Sequence, residues 1–334
     1  MNPLPPITII IVTLNNQRTL RQCIDSLLTQ DYPKKNIEYL NVDGGSTDNT
    51  LKILEDSPFK ILKSRIKKNA EAQRSIGVKE ARHNLIVSID ADNYLPHNNW
   101  LKQMVEPFIF DSEVVHANTL HYEHKRSSTV FNRYCALFGV LDPIVFYVGI
   151  PDRLPVYKNK WTFGDVITRK KKYTIVRHSL NTLPTVGCNG VVYRKDLLMK
   201  YAQSSPDKFL HIDVFADLVK KGFDKYAVVN NSVFHDTSSD IITLLRKRIA
   251  FLSNYYLSSS VERRYFIYNP HKFKDNLKLG LYMLYTLTIV KPLWDSLRGY
   301  VRLKDPAWFI HPIICYVFLL SYGYSTIQRI LNKK

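Results

Sequence analysis

Two aspartates, Asp90 and Asp92, follow directly after the mostly apolar run 84–89. Carboxylates at positions i and i+2 can share one cation when they stand at the end of a buried strand. Mg²⁺ and Mn²⁺ are held by one or two carboxylates, with phosphate oxygens and waters completing the shell. Such a pair is also common in solvated turns, but acids at the edge of a buried sheet require a compensating charge. A metal-bound diphosphate supplies that charge, so the pair predicts a Mg²⁺ or Mn²⁺ site.

A third acid, Asp43, ends the run 37–42 and enters a Gly-Gly-Ser-Thr turn. Glycines let a backbone approach a ligand closely, and a carboxylate accepts hydrogen bonds from the N–H and O–H groups of a base or ribose. Asp43 is therefore a candidate nucleotide ligand, and the alternative is that it is only a turn residue. For Asp48 we favour a structural role, as the cap of a helix that begins near Asn49.

Strands and helices must bring these acids together. Apolar runs predict strands at 7–12, 37–42, 60–63 and 84–89, and helical spacing predicts helices at 19–30, 49–54 and 71–81. Alternating strands and helices predict a doubly wound α/β sheet. In such sheets ligands bind beyond the carboxyl ends of the strands, where Asp43, Asp90 and Asp92 all fall.

Beyond residue 111 the pattern is less regular. Residues 112–185 predict short strands and polar loops, and helices are expected at 208–223, ending at Gly222, and at 241–256. Arg169–Lys172 are four consecutive positive charges, which form either a solvated loop or a contact with an anionic acceptor.

The chain is strongly basic. Its 334 residues include 47 Lys and Arg against 29 Asp and Glu, for a formal net charge of +18. Such an excess predicts an anionic partner, either a phosphorylated substrate or an acidic membrane surface. No nucleic acid is expected as a partner, because zinc-finger spacing and RNP-like aromatic patterns are both missing from the sequence.

Cysteine spacing and the N-terminal sequence indicate the compartment. The four cysteines are far apart and form no CxxC pair, which predicts buried thiols in a reducing compartment. The apolar run 7–14 is too short for an exported signal or a membrane span.

The C-terminal region 241–334 is basic and rich in aromatic residues. Residues 279–290 are too short for a comfortable span, whereas 307–327 just reach spanning length. Arg and Lys flank both segments, and Trp and Tyr stand near their ends as in an interfacial aromatic belt. We expect helices that associate with an anionic membrane surface, as a short hairpin or lying in the interface. The alternative is a pair of core helices that cover the sheet.

Segments 9–16, 42–50 and 89–92 together resemble a family 2 glycosyltransferase with the GT-A fold. That fold is a Rossmann-like, mixed and mostly parallel sheet flanked by helices. The second motif has Gly44 where the family commonly has another aspartate, which weakens a ribose contact at that position. Segment 71–77 is similar to the family's A-x-x-R-N-x-G helix, with Ser75 in place of the asparagine.

The resemblance implies a set of site residues. The implied donor nucleotide ligands are Thr13, Asn15, Asp43, Arg74, Asp90 and Ala91. Arg74 is alternatively a solvated helix residue. Asp90 and Asp92 would hold the metal, with His235 completing its shell unless His235 only makes ordinary loop hydrogen bonds.

The acceptor half departs further from the family. Segment 186–194 resembles the family's G-x-N-G-x-x-x-R stretch and places Asn189, Gly190 and Arg194 on the acceptor side. Leu210 and His211 replace the leading acids of the E-D-x-D motif. Asp213 remains as the general base, with His211 as the second candidate. A structural role for Asp213 at a helix N-terminus is the alternative.

The sequence therefore predicts a GT-A domain over 1–240, with a nucleotide-sugar-binding half at 1–111 and an acceptor half at 112–240. The expected activity is inverting, metal-dependent sugar transfer from a nucleoside-diphosphate sugar to a lipid-linked or envelope glycan acceptor. The enzyme would be membrane-associated, with its catalytic domain in the cytoplasm. The rivals are a nucleotidyltransferase, which would need a glycine-rich phosphate loop after the first strand, and an inactive membrane-bound scaffold.

Overall fold

The computed structural model describes residues 3–237, 240–253 and 262–331. The strands are β1 Ile7–Thr13, β2 Ile37–Asp43, β3 Lys60–Lys63, β4 Leu85–Asp90, β5 Asn93–Tyr94, β6 His116–Tyr122, β7 Asp165–Arg169, β8 Tyr173–Arg177, β9 Val191–Arg194 and β10 Lys225–His235. The helices are α1 Leu20–Leu28, α2 Thr50–Glu55, α3 Ala70–Glu80, α4 Trp100–Phe110, α5 Val130–Phe138, α6 Pro143–Tyr147, α7 Lys195–Tyr201, α8 His211–Lys220, α9 Ile241–Phe251, α10 Phe273–Thr288, α11 Val290–Arg302 and α12 His311–Leu331.

The strands form one mixed sheet in the order β3-β2-β1-β4-β9-β6-β10-β8-β7, and β5 pairs with β10. Within the described residues, β8 and β9 run against the direction of the other strands on this path. Strand β1 lies in the middle of the parallel part and is buried along its whole length. The predicted mixed, mostly parallel sheet flanked by helices is confirmed.

Helix α3 packs closely on β1 and β2 because of Gly77. A Cβ atom at this position would lie 2.8 Å from Cγ2 of Ile10 and 3.3 Å from Cγ2 of Val42. Such contacts are too short for a real side chain in a packed interior. Gly77 therefore sets how near α3 comes to the sheet, and with it the height of Arg74 above the strand ends.

The four predicted strands of the first 90 residues are all present, and their limits shift by at most one residue. The predicted helices of the first 90 residues agree within two residues at each end. Helix α8 is shorter than predicted at both ends, α10 begins six residues before the predicted 279, and α12 begins and ends four residues after the predicted 307–327. Within 112–185 the helices α5 and α6 were not predicted. The last residues of the helix expected at 241–256 lie outside the described residues. All four cysteines are free and buried, as predicted.

The chain divides into two compact units. Residues up to Glu123 and Lys160–Asp236 form the first, and His124–Asn159 with the residues from Thr237 onward form the second. The second unit takes up part of the region predicted as the acceptor half. The physical reason is packing: α5 lies against Pro306–Ile310, and α6 against α10 and α12. The functional halves proposed from the sequence stay a prediction.

The charge run Arg169–Lys172 ends β7 and forms the turn into β8. Its Lys172 makes an ion pair of 3.1 Å with Glu106, and both side chains are exposed. Lys170 lies over the ring of Phe110, 3.2 Å from its centre. These contacts are those of a solvated turn, which agrees with the first of the two interpretations.

Candidate active site

The strand register brings the predicted donor residues to one edge of the sheet. Thr13 at the end of β1 is the partner of Asp43 at the end of β2. On the other side of β1, Val12 is the partner of Asp90 at the end of β4. Neighbouring strands lie about 4.8 Å apart, so the ends of these three parallel strands form one continuous platform. We call it the carboxyl edge, and Ala91 and Asp92 follow β4 directly beyond it.

Asp43 is buried and is bonded within its own turn. Its carboxylate accepts backbone N–H bonds from Gly45 at 2.8 Å and Ser46 at 2.9 Å, and a hydroxyl bond from Thr13 at 3.1 Å. Across from this turn, exposed Asn15 accepts a bond of 2.8 Å from the N–H of Thr47. Asp43 thus shapes the turn, whatever ligand it also contacts.

The Gly44 substitution is matched by the side chain of Gln73 on α3. A Cβ atom at position 44 would lie 1.9 Å from Nε2 of Gln73. The amide of Gln73 therefore fills the space into which an aspartate at this position would project, and Gln73 is only 1% exposed. Gly44 and Gln73 thus fit together: the turn residue has no side chain, and the amide behind it occupies that space.

Arg74 links the carboxyl edge to a buried acid. Its guanidinium donates to Asp90 Oδ1 at 2.6 Å and to Glu71 Oε1 at 2.7 Å. Glu71 in turn accepts bonds from the backbone N–H of His211 at 2.9 Å and from its Nδ1 at 2.8 Å. Arg74 is thus a buried, bonded residue and not a solvated one. Glu71 also satisfies the first N–H of α8, a helix whose own cap residue provides no side-chain acceptor.

The contacts between these charged groups shift the pKa values of Glu71 and Arg74 strongly. Burial alone would raise the pKa of Glu71, but His211 and Arg74 bring it down to about 2. Burial alone would lower the pKa of Arg74, and Asp90 with Glu71 raises it well above its usual value. The carboxylate of Glu71 is therefore held ionised beside the guanidinium of Arg74 and the ring N–H of His211.

The acidic pair after β4 fits a metal that is held largely by its substrate. Asp90 and Asp92 are both partly exposed, and His235 Nε2 lies 3.8 Å from Asp92 Oδ1. Within the described residues no cluster of three or more His, Cys, Asp or Glu could enclose a metal ion. Mg²⁺ and Mn²⁺ need only one or two carboxylates when phosphate oxygens and water complete the shell. The donor set thus fits such an ion together with a diphosphate, not a protein cage.

The predicted acceptor residues fall at both ends of β9. Asn189 and Gly190 precede it at the carboxyl edge, where Gly190 donates to the carbonyl of Ser88 at 2.9 Å. Arg194 ends β9 and pairs with Leu85 at the start of β4. The structure does not bring Arg194 to the site, because β9 is antiparallel to β4 and carries its last residue to the opposite edge. There its Nε donates to the carbonyl of Val114 at 2.8 Å.

The two candidate bases differ in exposure. Asp213 lies in the first turn of α8 and is 0% exposed, whereas the side chain of His211 is 14% exposed. His211 is connected to Asp90 through Glu71 and Arg74. The sequence pattern assigns no role to Glu71 or Gln73. Their only signal was that two polar side chains precede Arg74 in a helix that packs on the sheet.

The first prediction concerns Asp43. Asp43→Ala is expected to weaken nucleoside diphosphate binding by about 1.5–3 kcal/mol, the scale of a hydrogen bond to a charged group. Titration calorimetry on the full-length protein measures this. Asp48→Ala is the control, because its carboxylate accepts from the backbone of Gln17 and Thr50 in the same loop region. Equal affinities in wild type and Asp43→Ala would leave Asp43 as a turn residue only.

Comparison with known proteins identifies the family. The model described as Glycosyl transferase family 2 matches residues 8–201. A dolichyl N-acetyl-alpha-D-glucosaminyl phosphate 3-beta-D-2,3-diacetamido-2,3-dideoxy-beta-D-glucuronosyltransferase from Methanococcus voltae is 32% identical over 95% of each chain.

Solved structures are also similar. The mannosyltransferase PcManGT from Pyrobaculum calidifontis, in complex with GDP-Man and Mn²⁺, is 11% identical with a TM-score of 0.49 and covers 100% of this chain and 91% of its own. Residues 1–349 of TarS from Staphylococcus aureus are 16% identical with a TM-score of 0.47, covering 96% and 91%. The assignment depends on neither structure. With a family model over more than half its length and a relative that matches nearly end to end, the chain belongs to glycosyl transferase family 2 and is a glycosyltransferase.

Proposed function

We propose that this enzyme transfers a sugar, with inversion and with a bound Mg²⁺ or Mn²⁺, from a nucleoside-diphosphate sugar to a lipid-linked or cell-envelope glycan acceptor. The observation that carries the proposal is the convergence of Thr13, Asp43 and Asp90 at one sheet edge, with Asp92 directly after it. Such a donor requires two recognition elements. One is an acid that binds the nucleoside, and the other is an acidic pair that binds the metal-bound diphosphate. The name of the Methanococcus voltae relative, a transferase acting on a dolichyl phosphate-linked sugar, supports the acceptor class.

The residues of the carboxyl edge take separate roles in this proposal. Asp43 and the loop of Asn15 bind the nucleoside, and Asp92 with Asp90 would hold the metal, with His235 beside them. When bound, the metal would stabilise the charge that develops on the leaving diphosphate. Arg74 holds Asp90 in place through its bond of 2.6 Å and adds positive charge beside the diphosphate.

For the base, the geometry favours His211 over Asp213. Asp213 is fully buried, so it could contact an acceptor hydroxyl only after a local rearrangement. His211 donates Nδ1–H to Glu71 when neutral, which makes Nε2 the nitrogen that can accept a proton. An inverting transfer needs one such base on the acceptor hydroxyl.

The second prediction separates the two candidates. His211→Ala is expected to lower kcat by about 10²-fold or more with donor affinity nearly unchanged, since a base acts mainly in the transition state. Asp213→Asn is expected to lower stability more than kcat, because Asp213 is buried. Single-turnover kinetics and thermal unfolding of both variants measure this. A normal rate in His211→Ala with a collapsed rate in folded Asp213→Asn would assign the role to Asp213.

The exposed apolar surface of the second unit supports the proposal that the acceptor lies in a membrane. Among the residues that the structure describes, one helical segment, Pro306–Leu331, is long and apolar enough to cross a bilayer, and 33% of its most apolar window is buried. Helices α10–α12 also expose many apolar side chains. Strongly exposed ones are Leu284, Leu287, Val290, Trp294, Val301, Ile313, Leu320 and Ile327. We propose that these side chains contact the membrane, and that the catalytic unit faces the cytoplasm, where nucleotide sugars are made.

The third prediction tests this contact. Full-length protein is expected to sediment with membranes at high salt, because buried apolar area is not screened by ions. Replacing Leu287, Val290 and Val301 together by Gln should move it to the soluble fraction. The control replaces Ile66 and Phe110, exposed apolar residues of the first unit, by Gln. Point substitutions suit this test better than truncation near residue 270, which would uncover α6. Wild-type protein that stays soluble at low salt would contradict membrane association.

The function itself is tested by a panel of nucleotide sugars. A specific donor should raise the unfolding temperature by mass action, and Mg²⁺ or Mn²⁺ should increase that effect. Slow metal-dependent hydrolysis of the same donor would exclude the inactive scaffold. A nucleotidyltransferase would instead release pyrophosphate from a nucleoside triphosphate and a sugar phosphate. If no nucleotide sugar stabilises the protein, the proposed donor class is wrong.

A further inference from the structure

The second unit contains a cavity of about 170 Å³ that the proposed mechanism does not use. Its lining includes three cationic side chains and a group of aromatic rings. The cations are Lys158, Arg298 and Arg302, and the rings include Phe138, Tyr157 and Trp308. This combination distinguishes the cavity from an ordinary packing defect, which is lined by apolar groups only.

The aromatic walls are fixed in place. The ring of Trp308 lies 4.7 Å from that of Phe138 and 5.9 Å from that of Tyr157. The indole N–H of Trp308 donates to the carbonyl of Leu303 at 3.0 Å, and Trp308 is 2% exposed. The guanidinium of Arg302 lies over the Tyr157 ring, 4.9 Å from its centre, a contact that attracts a cation to a ring face. The cavity is therefore preorganised on its aromatic side.

The charges of the side chains that line the cavity do not balance. The lining carries three positive side chains, all of them exposed to solvent, against one partly buried acid, Asp295. That acid is already engaged, since Lys291 approaches Oδ2 at 2.6 Å and the hydroxyl of Tyr147 donates to it at 2.8 Å. Burial lowers the pKa of Lys158, and the charges of Arg302 and Arg298 lower it further, with Asp295 acting weakly in the other direction. A bound anion would relieve this repulsion.

The volume limits what the anion can be. An engineered cavity of about 150 Å³ holds a molecule the size of benzene. Pockets for drug-sized ligands start near about 300 Å³. The cavity therefore has room for one or two phosphoryl groups, and it cannot enclose a whole nucleotide sugar. Guanidinium groups are well suited to phosphate, because their N–H groups match its oxygens in pairs.

We propose that this cavity binds the phosphoryl or diphosphoryl group of a phosphorylated lipid, and specifically of the lipid-linked acceptor. The unit that contains it also exposes the apolar side chains of α10–α12, which would accommodate the lipid chain. The assignment to an acceptor deepens the proposed function and rests on it. The phosphate site itself rests only on the cavity, its charges and its neighbouring apolar helices.

The test measures binding of full-length protein to phosphatidylcholine vesicles with and without a small fraction of polyprenyl phosphate. Arg298→Gln/Arg302→Gln is expected to lower the preference for polyprenyl phosphate by about tenfold or more, the scale of one or two lost charge-assisted hydrogen bonds. The matched control, Lys304→Gln/Arg329→Gln, removes the same charge from C-terminal positions outside the lining and should change binding by about twofold at most. Inorganic pyrophosphate should compete with the lipid in wild type.

Equal losses in the two double variants would overturn the proposal, since binding would then follow net charge alone. If vesicles with phosphatidylglycerol bind as tightly, and with the same dependence on Arg298 and Arg302, the cavity binds lipid phosphates in general and the acceptor assignment fails. Thermal unfolding and nucleotide affinity of each variant show whether it is folded. Wild type that binds polyprenyl phosphate but no nucleotide sugar would refute the proposed function and leave the phosphate site standing.

Discussion

Asp92→Ala is expected to abolish sugar transfer while leaving the protein folded. The side chain of Asp92 is partly exposed, and the hydrogen bond that ties this loop to Asp236 uses the backbone carbonyl of Asp92, which the substitution keeps. Removing one preorganised electrostatic contact at a reacting centre typically costs about 10²–10³-fold in kcat. We expect at least that loss here, because the carboxylate would hold the metal on the leaving diphosphate.

Initial rates over a titration of Mg²⁺ and Mn²⁺ measure the effect, and nucleoside diphosphate affinity provides a second readout. In wild type the metal should tighten nucleotide binding, and in Asp92→Ala this increase should disappear. Asp56→Ala is the control, an exposed aspartate whose ion pair with Arg21 is a long 3.4 Å. Wild-type turnover by Asp92→Ala in either metal would remove Asp92 from the site.

The carboxyl edge was predictable because apolar runs mark strands, and parallel strands end at the same side of a sheet. The run 84–89 and the acids after it located Asp90 and Asp92 before any contact was known. Arg194 could not be placed in the same way. Its motif gives spacing along the chain but not the direction of β9, and an antiparallel strand carries its last residue away from the site.

Helix α5 shows a second limit of prediction from the sequence. Its positions from Tyr134 to Phe138 are all buried, so burial is not confined to one face of the helix and the buried positions do not follow the 3.6-residue period. The contact of Glu71 with His211 could not be predicted from the sequence either, since it joins residues 140 positions apart. The sequence showed only that Glu71 precedes Arg74 by one turn, a spacing that predicts a surface pair and not a buried one.

Glu71→Ala is expected to produce the largest loss of stability among these variants. The carboxylate is 2% exposed and holds Arg74 and His211 at 2.7 and 2.8 Å. Removing it takes one of the two carboxylate partners from the buried guanidinium of Arg74, and it leaves Nδ1 of His211 and the first N–H of α8 without their acceptor. Breaking a buried ion pair from one side costs about 3–5 kcal/mol. Thermal and chemical unfolding at neutral pH measure it, with Glu80→Ala, an exposed position on α3, as the control.

The pH dependence distinguishes the charge of Glu71 from its shape. Its pKa is about 2 in the folded protein against an ordinary 4.5, so its stabilisation is complete above about pH 4.5 and is lost as the pH falls towards 2. Glu71→Gln keeps the shape without the charge. The difference in free energy of unfolding between wild type and Glu71→Gln should therefore shrink steadily as the pH falls below about 4.5. A difference that stays the same down to pH 3 would mean that Glu71 stabilises the fold by hydrogen bonding and packing, not through its charge.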